Sequence, residues 1–488
     1  MNIRPKLSIA VCTFALLTIA ACGGSGGDSS AAPDLPPTGG ISGNGVAIGP
    51  VANFGSIIVN GVTYNTDSAT FSINDAAGIQ ADLRVGDVVV VTGTIDDSGS
   101  TGSAVTVTFD DLVTGPVDSV DLAGNSLLVL GQTVLVSPDT SFDDSFNPAS
   151  LDGVSVGQIV EVSGQIDAND NIVATRIEPK PAGTQFEIHG TVAGLDSANM
   201  RFSLRGLVVD FSSAALDNFP NGQIADGDFV EAKGLSLGAG GELIATRVEL
   251  EALVPGVNDG DRVEIEGFIT RYVSVTDFDV AGFAVTTNGS TVFEGGTAAD
   301  LGLNVKVEVE GDVDANGLLT ATKVDIRRAK SVRATANVDS VDAANNSLVV
   351  LGITVVADAL TRLEDKSSAD TDPLTLSDIN AGDYIEVRGD ESPAGSGSIL
   401  ATIIERDDAD TEAILQGFIE IVTDPSYTVL GVTVNTDGST VFRDENDVVI
   451  TSTDFFARAS VNSLVKAKGA EVSDTSIVAT EVEFEVEF

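Results

Sequence analysis

Val305-Lys306-Val307-Glu308-Val309-Glu310-Gly311, followed shortly by Leu319-Thr320-Ala321-Thr322-Lys323-Val324-Asp325, carries the pattern that decides the fold. In the first stretch valines alternate with charged residues, the period of a β-strand with one apolar and one polar face. The acidic face is expected to meet water. In the second stretch Leu319 and Ala321 share one parity while Val324 takes the other, so the apolar phase slips by one residue. The same slip occurs at Ile172, Ala174 then Ile177, at Leu243, Ala245 then Val248, and at Ile477, Ala479 then Val482. It predicts a β-bulge at the Thr-x pair of each motif.

Working outward, the closing motif recurs as Ala174-Thr175-Arg176-Ile177-Glu178, Ala245-Thr246-Arg247-Val248-Glu249, Ala321-Thr322-Lys323-Val324-Asp325, Ala401-Thr402-Ile403-Ile404-Glu405 and Ala479-Thr480-Glu481-Val482-Glu483. The starts lie 71, 76, 80 and 78 residues apart, and Ala104-Val105-Thr106-Val107 is a degenerate copy 70 residues before the first of them. Two glycine series keep register with it: Gly93, Gly164, Gly234, Gly311, Gly389 and Gly469 end a valine-rich stretch, and Gly61, Gly131, Gly206, Gly282, Gly352 and Gly431 sit in mid-hairpin. Six tandem repeats follow, at 43–111, 112–180, 184–252, 260–329, 331–407 and 411–488.

In the second repeat the periodicities predict strands over 112–117, 126–130, 132–136, 158–164 and 172–178, separated by Asp/Gly/Asn turns. Thr297-Ala298-Ala299-Asp300-Leu301 and Leu376-Ser377-Asp378-Ile379 predict a helical turn between the third and fourth strands, plugging one barrel end. The expected fold class is all-β: six small five-stranded OB-like barrels with minor helical turns, a sandwich of similar size being the alternative. Phe71, Phe142, Phe219, Phe293 and Phe442 recur before the variable loop and are expected in the core. Laid end to end, six such units would reach on the order of 150 Å.

Composition narrows the function. Asp plus Glu number 73 against 25 Lys plus Arg, a formal charge of -48 that repels nucleic-acid phosphates. One His, two Cys and no Trp leave little material for His-based acid/base chemistry, zinc or thiol catalysis, and neither an enzyme nor a cofactor is expected. With 43% apolar residues the acidity does not signal disorder.

At the amino terminus Arg4 and Lys6 precede an apolar run over 7–19 and then Ile19-Ala20-Ala21-Cys22, the layout of a secretory signal. Thirteen apolar residues are too few for a helix to span a bilayer. Ile-Ala-Ala-Cys resembles the lipobox of bacterial lipoproteins, which implies a signal peptide over 1–21 and lipidation at Cys22. By the same resemblance, Gly23 in place of Asp implies delivery to the outer membrane, and 22–42 reads as a Gly/Ser/Pro tether. Removal of Cys12 with the signal leaves no cysteine pair for a disulfide, so each barrel relies on packing.

The repeat pattern, Gly86-Asp87-Val88-Val89-Val90-Val91-Thr92-Gly93 and in part Gly382-Asp383-Tyr384-Ile385-Glu386-Val387-Arg388-Gly389, each followed by the Ala-Thr motif, resembles the tandem repeat known as domain of unknown function 5666. The resemblance covers nearly all of the mature chain. It implies an exported bacterial protein of OB-like barrels and no particular activity. Leu303-Asn304 and Ser463-Leu464 stand where Gly-Asp is expected, which argues against a shared ligand site on that pair.

Few residues suggest chemistry. Gly153-Val154-Ser155-Val156-Gly157 has the spacing of a nucleophile elbow without the strand-to-helix context or a nearby base. His189, with Phe186 and Ile188 on the opposite parity, reads as an exposed strand residue. The turns Asp96-Asp97-Ser98-Gly99, Asp167-Ala168-Asn169-Asp170-Asn171 and Asp314-Ala315-Asn316-Gly317 offer oxygens of the kind calcium prefers, with Asp167, Asn169, Asp314 and Asn316 as weak calcium candidates. Ile172 at the sixth position of the second turn favours a hairpin instead. The basic cluster Arg327-Arg328-Ala329-Lys330 with Arg333 is a solvated face or a contact with a neighbouring barrel. The expected function is that of a monomeric, lipid-anchored spacer or multivalent scaffold for a protein or glycan partner, with a calcium-dependent adhesin as the alternative.

Overall fold

The structure, a computed structural model, describes residues 43–485 apart from 55, 97–99, 123, 253–256, 258–259, 328–331, 359–360, 370, 372, 393–394 and 446–447. Cys22, the signal over 1–21 and the tether over 22–42 lie outside the described residues. So do Arg328, Ala329 and Lys330 of the basic cluster.

All six repeats are closed barrels. In the fourth, the first strand (Arg262–Ser274) pairs antiparallel with the second (Asp277–Val280), which pairs with the third (Phe283–Thr286). The third runs parallel to the fifth (Leu319–Arg327), and the fourth (Lys306–Val313) lies between fifth and first. The other repeats reproduce this order, 1-2-3-5-4-1, so the barrel alternative holds and the sandwich does not. The second and third strands meet at a two-residue turn with both residues left-handed, such as Ala281 and Gly282 at φ 49° and 81°. This explains the mid-hairpin glycines. A short helix follows the third strand in every repeat, five of them single 3-10 turns and the sixth an α-helix (Ser452–Arg458). That helix drives Phe455 into the barrel end, with ring centroids 5.8 Å from Tyr427, 5.1 Å from Phe442 and 4.7 Å from Phe484. One element escaped the sequence pattern: a short segment before the helix, Val292–Glu294 in the fourth repeat, that adds parallel to the closing strand.

The predicted bulge is present in all six repeats. Glu310 pairs with Lys323 but Gly311 with Ala321, leaving Thr322 as the extra residue. Thr175, Thr246, Thr402, Thr480 and, in the first repeat, Val105 are skipped in the same way. The slip lets both Ala321 and Val324 point into the core. It also explains the glycine near the end of the fourth strand. A Cβ on Gly311 would lie 2.1 Å from the Thr320 carbonyl oxygen, and the corresponding approaches at Gly93, Gly164, Gly234, Gly389 and Gly469 are 2.2, 2.5, 2.4, 2.1 and 2.1 Å. The Ala321 carbonyl, freed by the bulge, accepts from Thr291 Oγ1 at 2.7 Å, and Thr322 Oγ1 donates to the Glu310 carbonyl at 3.0 Å. Bulge, glycine and threonine are one device.

The Gly-Asp pair before the fourth strand is a turn: Gly86 and Gly382 supply left-handed backbone, while Asp87 and Asp383 accept from the amides of Arg84 and Asn380 at 2.7 and 2.8 Å. In the fourth and sixth repeats the equivalent pairs are Asn304-Val305 and Asn462-Ser463, one residue from the sequence alignment, with left-handed Asn in the glycine's place.

The barrels are not strung end to end. Each first strand pairs with that of another repeat: the first runs parallel to the fourth (Gly45↔Arg262 to Ile48↔Ile265), the second is antiparallel to the third (Ile188↔Val113), and the fifth antiparallel to the sixth (Ala334↔Leu415). Three shared sheets result. They also touch one another, for Val88 N donates to Ser163 Oγ at 2.8 Å, Gln165 Nε2 to the Glu266 carbonyl at 3.0 Å and Asn53 Nδ2 to the Leu374 carbonyl at 3.2 Å. The extended string fails because strand-one edges are satisfied by other barrels rather than by water.

Gly311→Ala and Gly389→Ala are expected to destabilise the chain by roughly 1–3 kcal/mol each, since backbone must move to admit the methyl. Gly289→Ala, with nothing within 4 Å of its Cβ, should leave the urea midpoint unchanged in the same denaturation series.

Candidate functional site

The alternation that puts valines inside each barrel puts Glu161, Glu231, Glu308 and Glu386 outside it, three residues before the recurring glycine of their repeats. These faces do not meet water. All four carboxylates are buried, as is Glu310, contrary to the expectation for the fourth repeat. Barrel packing covers them, and buried charge must be paired.

One junction centres on Arg176, whose side chain is 5% exposed. Its Nε lies 2.6 Å from Glu178 Oε1, Nη2 3.3 Å from Asp143 and Nη1 3.5 Å from Glu364 of the fifth repeat, and Nη1 also donates to the Val85 carbonyl of the first repeat at 3.3 Å. Burial works against the Glu178 carboxylate, yet Arg176 and Lys180 outweigh it and hold it below its ordinary value. Close by, Arg362 donates to the Asp139 carbonyl, a further link between fifth and second repeats.

A second junction gathers the ends of the first three repeats around the chain's one histidine. Contrary to the exposed reading, His189 is 3% exposed. The first strand of the third repeat (Phe186–Thr191) crosses beneath Asp111 and the Leu112 carbonyl, to which His189 N donates at 3.2 Å. His189 Nε2 stands 3.4 Å from Glu251 Oε2 and 3.5 Å from Glu231 Oε1. Lys233 Nζ holds Glu231 at 2.7 Å, Asp75 of the first repeat at 3.1 Å and Glu187 at 3.2 Å. Burial disfavours the imidazolium, but Glu251, Glu231 and Glu187 together push the ring up to about 10. Glu231 is pushed up to about 9 by burial and then by Glu187. No sequence motif announced this group, because its side chains stand on separate segments of the third repeat and at Asp75 and Asp111 of the first, and meet only through folding and barrel packing.

The other sequence candidates fall elsewhere. Asp167 Oδ1 accepts from the amides of Asn169 and Asn171 at 2.7 and 2.8 Å, and Asp314 Oδ1 from those of Asn316 and Leu318 at 2.8 and 3.0 Å. Asn169 and Asn316 serve the same turns, their side-chain amides 3.5 and 3.3 Å from these carboxylates. These oxygens close hairpins. Glu178, twelfth from Asp167, is engaged by Arg176 instead. Gly153 to Gly157 form the turn before a strand, not an elbow before a helix. Arg327 pairs with Asp325 at 2.8 Å and Glu308 at 2.5 Å, and Arg333 with Glu386, each inside its own barrel rather than with a neighbour.

A family model described as a domain of unknown function (DUF5666) matches residues 47–105, 114–178, 189–249, 266–325, 335–405 and 416–483. No curated protein matches the chain in sequence. Among solved structures, a deletion variant of the single-stranded DNA binding protein from Thermus aquaticus is similar at 10% identity and TM-score 0.15, over 33% of this chain and 97% of that one. Drosophila Unr CSD456 is similar at 16% identity and TM-score 0.13, over 45% of this chain and 97% of that one.

Arg176→Ala should cost roughly 3–5 kcal/mol, because it strands half-buried carboxylates on the second and fifth repeats and the Val85 carbonyl on the first, whereas Arg176→Lys should recover part of the loss in the same urea titration. A pH series provides a second check. Asp87 is pushed up to about 8 by burial, and Glu264 well above its ordinary value by burial and by Glu308 and Glu310. Folded values above unfolded ones give stability that is full below the unfolded pKa and lost as pH rises through the folded one. Glu266, lowered to about 2 by Lys306 and Arg327 against its burial, acts oppositely, losing its contribution as pH falls below about 4. The melting temperature should therefore rise as pH drops from about 9 to about 5, then fall in stronger acid.

Proposed function

The chain belongs to the family of domain of unknown function (DUF5666), with six tandem copies spanning residues 47 to 483, and from that premise we propose that it is a non-enzymatic binding scaffold anchored in the outer membrane by lipid on Cys22. The observation that carries the reading is that the chain's chemistry-bearing side chains, His189, Arg176, Lys233 and the outward glutamates, are spent on buried pairs within barrels and between them. What the assembly offers a partner is shape and repetition. Shared sheets favour the scaffold over the spacer, since paired first strands fold the repeats back instead of extending them. Contact points for a protein or glycan are then distributed over several barrels at fixed separations, an arrangement that gains avidity without any strong single site. Exposed apolar side chains such as Leu122, Val273 and Ile421, on the second, fourth and sixth repeats, are suited to such contacts.

Two measurements test the reading. Radiolabelled fatty acid should enter the wild-type chain and leave it in the detergent-soluble outer-membrane fraction, while Cys22→Ser should remain unlabelled and soluble; labelling of the serine variant would defeat the anchor. Calcium up to the millimolar range should move the melting temperature no more than magnesium does, and a calcium-specific rise would favour the adhesin reading.

A further inference from the structure

The His189 junction holds more carboxylate than its cations neutralise. Asp111, Glu187, Glu231 and Glu251 surround the ring, and Lys233 is the ammonium that reaches two of them. Their donor atoms fall into two triads that share His189, one with Asp111 and Glu187 and one with Glu231 and Glu251, each with every atom within 4.8 Å of the others. Several of these atoms are deeply buried with no hydrogen-bond partner: His189 Nδ1, Asp111 Oδ1, Glu187 Oε1 and Glu231 Oε2. Desolvated carboxylates in that state need a proton or a cation.

The geometry favours a cation. A tetrahedral ion with bonds of about 2.0–2.1 Å to imidazole nitrogen and carboxylate oxygen sets its ligands about 3.4 Å apart. The separations from His189 Nε2 to Glu251 and Glu231 are 3.4 and 3.5 Å. An imidazole among carboxylates selects first-row transition ions over calcium or magnesium, which prefer oxygen alone. Lys233 Nζ holds the same Glu231 oxygen at 2.7 Å and Glu187 at 3.2 Å, which fixes the orientation of these carboxylates, and Asp111 and Glu187 stand within 4.8 Å of the imidazole as supporting groups. We propose that His189, Glu231 and Glu251 bind a divalent transition-metal ion of the zinc class, with Asp111 and Glu187 as supporting carboxylates. The three ligands belong to the third barrel, and Asp111, at the end of the first repeat, ties the ion across the junction that Lys233 and Asp75 already bridge. The ion is structural, and it stands independently of any partner the scaffold binds.

The test uses the full chain in detergent, stripped with a chelator and titrated with Co²⁺ while visible absorption is followed, then with Zn²⁺ by calorimetry. A single equivalent should bind with tetrahedral d–d bands, and Zn²⁺ should raise the melting temperature. His189→Gln should abolish the bands, Glu251→Gln should weaken binding at least tenfold, and Asp314→Asn should change neither. Should His189→Gln fail to fold, the half-buried Glu251 decides, since its variant leaves the covered groups in place. Wild-type chain that takes up no ion, or binding undiminished in both variants, overturns the proposal.

Discussion

Buried charge between barrels is the constraint on which the rest of this structure depends. A barrel of about seventy residues buries only some 60% of its unfolded surface, and here the remaining face, lined by the first and fourth strands, is itself covered. That face carries Glu, Lys, Arg and His in alternation with the valines of the core. Covering it is stabilising only where each charge finds a partner, because an uncompensated buried ion costs several kcal/mol. The few cations are accordingly concentrated: Arg176 bridges three repeats, Lys233 two, and Arg388 and Lys366 together hold Glu405 well below its ordinary range against burial. The strongly acidic balance of the chain is tolerable because these scarce cations stand where desolvation is greatest.

Inside the barrels the logic is different and repeats six times. The bulge reverses the inward parity of the closing strand, the opposing glycine makes room for the carbonyl that the bulge displaces, and threonine hydroxyls cap the backbone groups left over. None of this depends on neighbours. The outsides diverge, and with them the pairing: the first strand of one repeat meets that of the fourth in parallel, while the other two pairs meet antiparallel. Interiors built on one device with different exteriors let one unit occupy six distinct positions. The histidine junction is the clearest consequence, since its ligand set exists at one of those positions and at no other among the described residues.

Much of the fold was legible in the residues. Period-two valines, the phase slip at Ala-Thr-x-Val and the two glycine series predicted barrel, bulge and hairpin, because each arises from contacts within a few residues or across one strand pair. The short parallel strand before the helix was not, since Val292–Glu294 carries no periodicity of its own and is defined by the edge it joins. Nor was the fate of Glu308, Glu310 and His189. Alternation tells which side of a strand a residue faces, but whether that side meets water or another barrel is set by packing between segments hundreds of residues apart.

The sequence by itself therefore determined the unit: its strands, its bulge and its number, for these rest on local sterics and on apolar parity. Tertiary structure alone decided which unit stands beside which, and so where the charges are buried and where a histidine from the third repeat can meet carboxylates near the end of the first. The physical reason is that edge pairing and charge compensation are satisfied by any neighbour of suitable shape and sign, and a linear pattern does not record the choice.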